Sequence, residues 1–369
     1  MKIASRTVHA GRELVARSPL APDISPASVH VFDDLDDYDA VARGDRPGHY
    51  YGRNSNANRA MLEQAVADLE GAEGGAAAAS GMAAMHVAIL ALAPKPTTIL
   101  ATRELYGGTM ALLRQELEPQ GYEAAFVDMQ DLNAVRRGLD GAGLVLVETI
   151  TNPLCRVIDV EAIARMGRDA GASVLVDNTF ATPVICRPLE LGAHAVMHSA
   201  TKYIGGHSDL VAGIVAGPNE MIKAARARLA RTGATLGAFD AWLALRGLRT
   251  LDVRMRRHGE NASALAHALG AMAGVSRVHY GGQGGMLAFD LEGGRPAVQR
   301  MISRLRMVTF AASLGGVETT ISYPEITSHR SLTAAERAEL GVRGGTVRVS
   351  VGIEAAEDIV DDFAQALSE

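Results

Sequence analysis

Short apolar runs alternate with amphipathic helical segments through the middle of this 369-residue chain. Runs such as 144–148 and 174–177 are apolar at nearly every position, so both faces of each strand would be buried. Strands of this kind, separated by helices, are typical of a mostly parallel sheet covered by helices on both sides. Further strands are expected at 98–101, 124–127, 195–198 and 211–215, and helices at 61–69 (ending at Gly71), after Gly81, near 110–117 and at 160–168.

The pattern differs at the two ends of the chain. Residues 1–50 combine several prolines with an acidic stretch at 33–39 and show no sustained period, which predicts an extended arm lying on a partner. After about residue 250, a long helix and short strands near 285–290, 317–322 and 347–351 predict a smaller α+β domain. We therefore expect an α/β protein with an N-terminal arm (1–50), a large domain (51–250) and a small C-terminal domain (251–369).

Composition excludes several classes of function. The formal net charge of -6 leaves no basic excess for binding nucleic acid, and a small cluster of Arg254, Arg256 and Arg257 is interpreted as a solvated helix face. No apolar run is long enough for a membrane span or a signal peptide. Cys155 and Cys186 lack the spacing of a metal site, so we expect no metal, and a reducing cytoplasm as the location.

Lys202 follows the apolar run 195–197 within Ser199-Ala-Thr-Lys-Tyr. A lysine at the end of a buried strand is costly unless it is paired or used covalently, because its ammonium group loses hydration. A lysine that forms a Schiff base with a carbonyl cofactor avoids that cost. The hydroxyls of Ser199 and Thr201 are close enough in sequence to donate to a phosphate group held beside it. The alternative interpretation is an ordinary surface lysine.

Asp177 ends an earlier apolar run of the same predicted sheet. Alone, it could equally be a helix cap or a metal ligand. An ionised carboxylate also keeps the ring nitrogen of pyridoxal phosphate (PLP) protonated, so that the ring can accept electrons. Together with Lys202, it favours PLP as the cofactor.

The segment Ser80-Gly-Met leads into a predicted helix. A helix N-terminus with accessible backbone N–H groups is suited to binding phosphate. A simple tight turn is the alternative.

Several ordered segments resemble the signatures of the trans-sulfuration, or Cys/Met metabolism, PLP enzymes. The segments are 51–56, 80–84, 106–109, 148–153, 177–183, 198–209, 239–243, 246–251, 313–316 and 348–352. The resemblance extends from Thr7 almost to the end of the chain. It implies the aspartate-aminotransferase-like fold, called fold type I, in a homotetramer built of tight dimers.

The resemblance also implies residue roles. Lys202 and Tyr106 would be catalytic: Lys202 would move the α-proton and relay protons to Cβ, and Tyr106 would be the general acid at the departing γ-substituent. The residues implied for cofactor binding are Tyr51, Arg53, Gly81, Met82, Tyr106, Asp177, Thr179, Ser199, Thr201 and Lys202. Of these, Tyr51 and Arg53 would reach across from the neighbouring subunit. The residues implied for binding the α-carboxylate of an amino-acid substrate are Asn152, Ser313 and Arg348.

Two positions bear on the substrate. Ala312 stands where cystathionine γ-synthases and γ-lyases typically have glutamate, and a small apolar residue there resembles methionine γ-lyase. Gly108, in contrast, resembles the cystathionine enzymes, because methionine γ-lyases usually have cysteine at that place. We expect γ-elimination on methionine or a close analogue.

One alternative stays open beside this expectation: a cystathionine γ-synthase, a γ-lyase or an O-acylhomoserine-dependent γ-replacement transferase. A non-catalytic regulator is disfavoured, because it would not need Lys202, Tyr106 and Arg348 together.

Overall fold

A computed structural model describes residues 1–11, 20–330 and 332–368. Within them the chain forms a seven-stranded and a five-stranded sheet. The strands of the larger sheet are β1 (Gly74–Ala78), β2 (Thr98–Thr102), β3 (Glu123–Val127), β4 (Ala142–Glu148), β5 (Ser173–Asp177), β6 (Ala195–His198) and β7 (Gly213–Gly217). The strands of the smaller sheet are β8 (Val275–His279), β9 (Met286–Leu291), β10 (Thr309–Phe310), β11 (Thr320–Ser322) and β12 (Thr346–Ser350).

The larger sheet has the order β1-β7-β6-β5-β4-β2-β3. Its strands β2 to β6 pair in parallel, whereas β7 runs antiparallel to both β6 and β1. In β4, Leu144 and Leu146 pack on one side of the sheet, and Val145 and Val147 pack on the other. The expected mostly parallel sheet with two buried faces is therefore confirmed.

Helices cover both faces of this sheet. The α-helices in the described parts of the chain are α1 (Ile3–His9), α2 (Leu35–Arg43), α3 (Ala57–Glu70), α4 (Gly81–Leu92), α5 (Gly107–Ala111), α6 (Leu132–Gly138), α7 (Val160–Asp169), α8 (Thr182–Ile185), α9 (Asn219–Thr232), α10 (Ala238–Leu248), α11 (Leu251–Leu269), α12 (Gly294–Arg304), α13 (Ala334–Glu339) and α14 (Ala356–Leu367). As expected, α3 ends at Gly71, which adopts the left-handed conformation. No helix among these described residues is both long and apolar enough to cross a membrane.

The helix expected near 110–117 is only partly α-helical, because α5 continues as a π-helix over Leu112–Leu117. The strand β1 was not expected, since its sequence consists of glycine and alanine alone. Close packing explains it: a Cβ added to Gly75 would lie 2.6 Å from the Glu63 carbonyl oxygen of α3.

The smaller sheet has the order β10-β11-β12-β9-β8 and pairs antiparallel except between β10 and β11. The helices α11, α12 and α14 bury its apolar face. The chain passes from one sheet to the other at α11, close to the proposed boundary at residue 250. The bounds 1–50, 51–250 and 251–369 remain a prediction.

We expected an extended N-terminal arm without sustained periodic structure. This prediction is wrong in part, because the helices α1 and α2 lie within residues 1–50. The acidic stretch forms α2: the Asp34 side chain accepts a hydrogen bond from the Asp37 amide, and Gly44 ends the helix in the left-handed conformation. Part of the arm lies on its own chain, since the Trp242 indole donates to the Pro22 carbonyl oxygen at 2.8 Å. Residues 12–19 of this arm lie outside the described residues.

The prediction that Arg254, Arg256 and Arg257 form a solvated helix face is also only partly correct. The side chains of Arg256 and Arg257 are exposed, but Arg254 is buried and its residue is 4% accessible to solvent. Helical spacing places Arg254 on the same face as the buried residues Leu251 and His258, and the segment 203–206 from a distant part of the chain covers it.

Candidate active site

A cavity of about 520 Å³ lies at the carboxyl ends of the parallel strands, where residues of the smaller sheet approach them. Ligands bind at this edge in open α/β sheets. The expected site residues that line the cavity are Gly81, Met82, Tyr106, Asn152, Asp177, Thr179, Ser199, Thr201, Lys202, Ser313 and Arg348. The structure therefore brings together residues that are spread over more than half of the chain.

Asp177, the last residue of β5, lies on the cavity wall. Its Oδ1 atom accepts a hydrogen bond from the Thr179 amide at 2.9 Å, which fixes the carboxylate. Burial raises the pKa of Asp177, and the hydrogen bonds from Thr179 oppose this rise. A cation placed against the carboxylate would favour its ionised form. The Oγ1 atom of Thr179 also accepts from the Ser199 amide at 2.8 Å, so Thr179 links two walls of the cavity.

Glu148 is a cavity residue to which the sequence had given no role. It ends β4 directly beside Asp177 in the sheet register. Its Oε1 atom accepts from the Tyr106 amide at 2.7 Å, which positions the turn that carries Tyr106. Burial, followed by the nearby Asp177 carboxylate, raises the pKa of Glu148 well above its usual range. The signal available in the sequence was a polar residue at the end of an apolar strand.

The N-terminus of α4 forms another wall. Ser80 caps the helix by accepting from the Ala83 amide at 3.1 Å, and the first intrahelical donor is the Ala84 amide. The amides of Gly81 and Met82 precede that donor and are available to an anion. A Cβ at Gly81 would lie 2.7 Å from the Ser199 Cβ, so only glycine leaves this space open.

The Thr201 hydroxyl lines the same part of the cavity but is engaged with the backbone. It donates to the Ala212 carbonyl oxygen at 3.1 Å and accepts from the Ala212 amide at 3.0 Å. Its hydrogen would have to leave the Ala212 carbonyl oxygen before Thr201 could donate to a phosphate.

Lys202 extends into the cavity, where its Nζ atom donates to the Ser313 hydroxyl at 2.6 Å. Burial, with a smaller contribution from the positive charge of Arg348, lowers the pKa of Lys202 from 10.5 to about 8. A lysine with such a pKa has a neutral, nucleophilic amine available near neutral pH.

Arg348 belongs to β12 and is buried at the far wall of the cavity. Its Nη1 atom donates to the Asn152 side-chain oxygen at 2.9 Å, and its Nη2 atom donates to the Ser313 carbonyl oxygen at 3.0 Å. Its Nε atom has no hydrogen-bond partner among the described residues. An oriented guanidinium group with a free donor is suited to binding a carboxylate.

Tyr106 lies in the cavity, whereas the other two expected site residues, Tyr51 and Arg53, lie outside it. Tyr106 lines the cavity and is 44% exposed. Tyr51 and Arg53 do not line the cavity of their own chain. Instead the Arg53 guanidinium lies 5.3 Å from the centre of the Tyr51 ring and donates to the Ala230 carbonyl oxygen at 2.5 Å.

The cavity fits PLP in three respects. Asp177 offers a half-buried carboxylate for the ring nitrogen, Lys202 offers an amine of lowered pKa, and the start of α4 offers free amides and space for a phosphate. No group of three or more residues with the arrangement of metal ligands occurs in the part of the chain that the structure describes.

Comparison with known proteins agrees with this geometry. The chain is 38% identical to L-methionine gamma-lyase of Pseudomonas putida, covering 99% of this chain and 96% of that enzyme. It is 42% identical to cystathionine gamma-synthase/O-acetylhomoserine (thiol)-lyase of Bacillus subtilis, covering 88% and 87%.

Among solved structures, cystathionine gamma synthase from Xanthomonas oryzae pv. oryzae in complex with cystathionine superposes with a TM-score of 0.93 at 35% identity, covering 100% of this chain and 98% of that one. The model of the family Cys/Met metabolism PLP-dependent enzyme matches residues 4–368. The expected fold type I and the expected cofactor are thereby confirmed. The chain belongs to the Cys/Met metabolism PLP-dependent enzyme family.

Proposed function

We propose that the chain is a carbon–sulfur lyase that performs γ-elimination on methionine or a close analogue. With methionine, the substrate and one water molecule yield α-ketobutyrate, ammonia and methanethiol. The observation that carries the proposal is the neutral wall around Ala312. Among the described residues, the charged ones that line the cavity are Glu148, Asp177, Lys202 and Arg348, and all four have partners or roles at the cofactor and carboxylate ends.

The remaining wall suits an uncharged thioether. It includes the side chains of Met82, Val211, Ala312 and Ile326, which cannot pair with a distal ammonium or carboxylate group, beside the uncharged side chains of Thr327 and Ser328. Cystathionine carries such groups beyond its sulfur atom, whereas methionine ends in a methyl group. Leaving a charged group without a partner in a partly buried site is unfavourable.

The residues of the chain then have distinct tasks. Asp177 would hold the ring nitrogen of PLP, and Ser199 with the amides of Gly81 and Met82 would hold its phosphate. When bound, PLP supplies an electron sink that stabilises negative charge at the carbon atoms next to the amino group. Lys202 would attach the cofactor.

The substrate would be held and converted by other side chains. Arg348 would bind the α-carboxylate through its free Nε atom, in an orientation fixed by Asn152 and the Ser313 carbonyl oxygen. The Lys202 amine would take the proton from Cα and return a proton to the carbon chain. The Tyr106 hydroxyl would donate a proton to the departing sulfur atom.

A γ-replacement reaction is the second candidate, and the surroundings of Gly108 favour it. A Cβ at Gly108 would lie 2.5 Å from Cε1 of Tyr106, so the tyrosine occupies the space that a cysteine would need. The glycine resembles the cystathionine enzymes, and the 42% identity to the Bacillus subtilis enzyme points the same way. Elimination and replacement share the residues named above and differ in the fate of the four-carbon chain once the γ-substituent has left: a thiol adds to it in replacement, whereas in elimination water converts it to the α-keto acid and ammonia.

We also propose a homotetramer built of dimers with shared active sites. The support is the position of Tyr51 and Arg53, which do not line the cavity of their own chain. An exposed aromatic ring and a guanidinium group are suited to contact a phosphate bound by a neighbouring subunit.

A comparison of catalytic efficiencies tests the proposed reaction. The substrates are methionine, cystathionine, and O-acylhomoserine with cysteine. We expect methionine to have the highest kcat/KM and to release methanethiol whether or not cysteine is added. A clear preference for cystathionine, or for O-acylhomoserine with cysteine, would replace elimination on methionine by the corresponding alternative.

A further inference from the structure

Arg254 is a buried cation next to the segment that carries Lys202. It belongs to the first turn of α11 and is 4% accessible. Among the described residues it forms no ion pair with a carboxylate. All its hydrogen-bond acceptors are neutral, namely backbone carbonyl oxygens and the hydroxyl of Thr250. Burying a guanidinium group without a carboxylate partner costs free energy, because the charge loses its hydration. A buried arginine of this kind is therefore expected to have a specific role.

The carbonyl oxygens that accept hydrogen bonds from Arg254 show which segments of the chain it connects. Its Nη1 atom donates to the Tyr203 carbonyl oxygen at 2.6 Å, and its Nη2 atom donates to the Ile204 carbonyl oxygen at 3.4 Å. The same Nη2 atom donates to the Gly247 carbonyl oxygen near the end of α10 at 2.7 Å. One side chain thus ties the two residues that follow Lys202 to α10 and α11.

The segment Tyr203–Gly206 is packed tightly around the guanidinium. Gly206 adopts a φ of +74°, and a Cβ there would lie 2.2 Å from Nη1 of Arg254. On the α10 side, a Cβ at Gly247 would lie 2.2 Å from the Gly205 carbonyl oxygen. Two glycines therefore make room for this arrangement.

The same segment fixes the backbone of Lys202. The Gly206 amide donates to the Lys202 carbonyl oxygen at 2.7 Å, and the Gly205 amide donates to the Ala200 carbonyl oxygen at 2.8 Å. A shift of Tyr203 or Ile204 would move Lys202 and hence the position of its Nζ atom in the cavity.

We propose that Arg254 is a positioning residue for Lys202: its guanidinium holds the turn Tyr203–Gly206 so that the lysine amine stays in place for the cofactor. The inference rests on the proposed role of Lys202 in attaching PLP. Lysine at position 254 keeps the charge but lacks the planar fork that reaches several carbonyl oxygens at once. The shape of arginine, as well as its charge, is therefore required.

Four variants test this role. Arg254→Met removes the cation, Arg254→Lys keeps the charge, and Thr250→Val removes the hydroxyl that accepts from Nε of Arg254 at 2.9 Å. Arg256→Met is the matched control, because Arg256 lies on the same helix but its side chain is 64% exposed. For each holoenzyme, we would measure the release of PLP, the pH midpoint of the absorbance change of the bound cofactor, and the thermal unfolding temperature.

We expect Arg254→Met to release PLP roughly tenfold faster or more, the range expected for the loss of hydrogen bonds from a charged group, and to shift the pH midpoint. Arg254→Lys and Thr250→Val should show smaller changes in the same direction, and Arg256→Met none. If Arg254→Met does not fold, the PLP release and pH midpoint of Arg254→Lys and Thr250→Val decide whether the proposal holds. Unchanged PLP release and pH midpoint in these variants, even with a lowered unfolding temperature, would reduce Arg254 to a merely structural residue and overturn the proposal.

Lys202→Ala distinguishes a failure of the proposed role of Lys202 from a failure of the inference about Arg254. If borohydride reduction still links the cofactor to Lys202→Ala, the role of Lys202 fails and the inference fails with it. If Lys202→Ala loses the link while the Arg254 variants behave like the wild type, only the inference about Arg254 is overturned.

Discussion

The side chain of Lys202 and that of Ser313 meet across the two sheets, with 2.6 Å between Nζ and Oγ. Lys202 follows a strand of the larger sheet, and Ser313 lies between two strands of the smaller one. The Ser313 carbonyl oxygen also accepts from Nη2 of Arg348 at 3.0 Å. One residue therefore connects the lysine proposed to bind the cofactor with the arginine proposed to bind the substrate, and any shift between the sheets would change both.

Lys202→Ala should remove both the covalent attachment of PLP and turnover. The amine at position 202 is the attachment point in our proposal, and it also moves the α-proton. We expect kcat to fall by roughly a thousandfold or more, within the range for loss of a general acid–base. Mass spectrometry after borohydride reduction measures the attachment. A reduced cofactor still bound covalently in this variant would exclude Lys202 as the attachment point.

The rate at which PLP becomes attached to the cofactor-free protein should rise with pH around a midpoint near 8. Burial and Arg348 disfavour the ammonium form of Lys202 and lower its pKa from 10.5 to about 8, so the nucleophilic neutral amine becomes the main form above about pH 8. At pH 7.5, about a quarter of the lysine would be neutral. Stopped-flow absorbance at a series of pH values measures the midpoint. A midpoint near 10 would contradict the lowered pKa.

Arg53→Ala should weaken PLP binding, and mixing it with Lys202→Ala should restore part of the activity. A hybrid dimer has one site with both native residues if Arg53 acts in the neighbouring subunit. Random exchange of equal amounts would yield about a quarter of the wild-type activity, because half of the dimers are hybrids and each has one native site of two. The measurement is activity after subunit exchange. No recovery, with exchange demonstrated by labelled subunits, would argue against shared sites.

Ala312→Glu should shift the substrate preference from methionine toward cystathionine. A carboxylate on this wall of the cavity would pair with the distal ammonium group of cystathionine. A hydrogen bond to a charged group contributes about 1.5–3 kcal/mol, so the ratio of the two kcat/KM values should change roughly 10- to 150-fold. Ala311→Glu is the matched control, since Ala311 does not line the cavity. An equal shift in both variants would mean that the effect is not local to position 312.

Gly108→Cys should displace Tyr106 and lower kcat. The new Cβ would lie 2.5 Å from Cε1 of Tyr106 and 3.2 Å from Sδ of Met82, closer than side chains pack. The displaced hydroxyl would protonate the leaving sulfur atom less efficiently, which we expect to cost roughly tenfold or more in kcat. Gly344→Ala serves as the control, because a Cβ there meets nothing within 4 Å. Wild-type kcat in Gly108→Cys would show that Tyr106 can move without loss.

The sequence by itself determined the mostly parallel character of the larger sheet and two candidate cofactor residues. Strands with two apolar faces can be buried only between helices, and the polar residues Asp177 and Lys202 were recognisable at the ends of such strands. The segment Ser80-Gly81-Met82 likewise indicated the start of α4, because the start of a helix depends on residues close in sequence.

Only the tertiary structure decided which distant residues meet. The contact of Arg348 with Asn152 and Ser313 requires both sheets to pack, as does the contact of Lys202 with Ser313. Helical periodicity places Arg254 on the buried face of α11, opposite to the exposed Arg256, but it does not show what surrounds the buried charge. The carbonyl oxygens that accept from Arg254 come from the segment 203–206 and from Gly247, and only the tertiary structure brings them there.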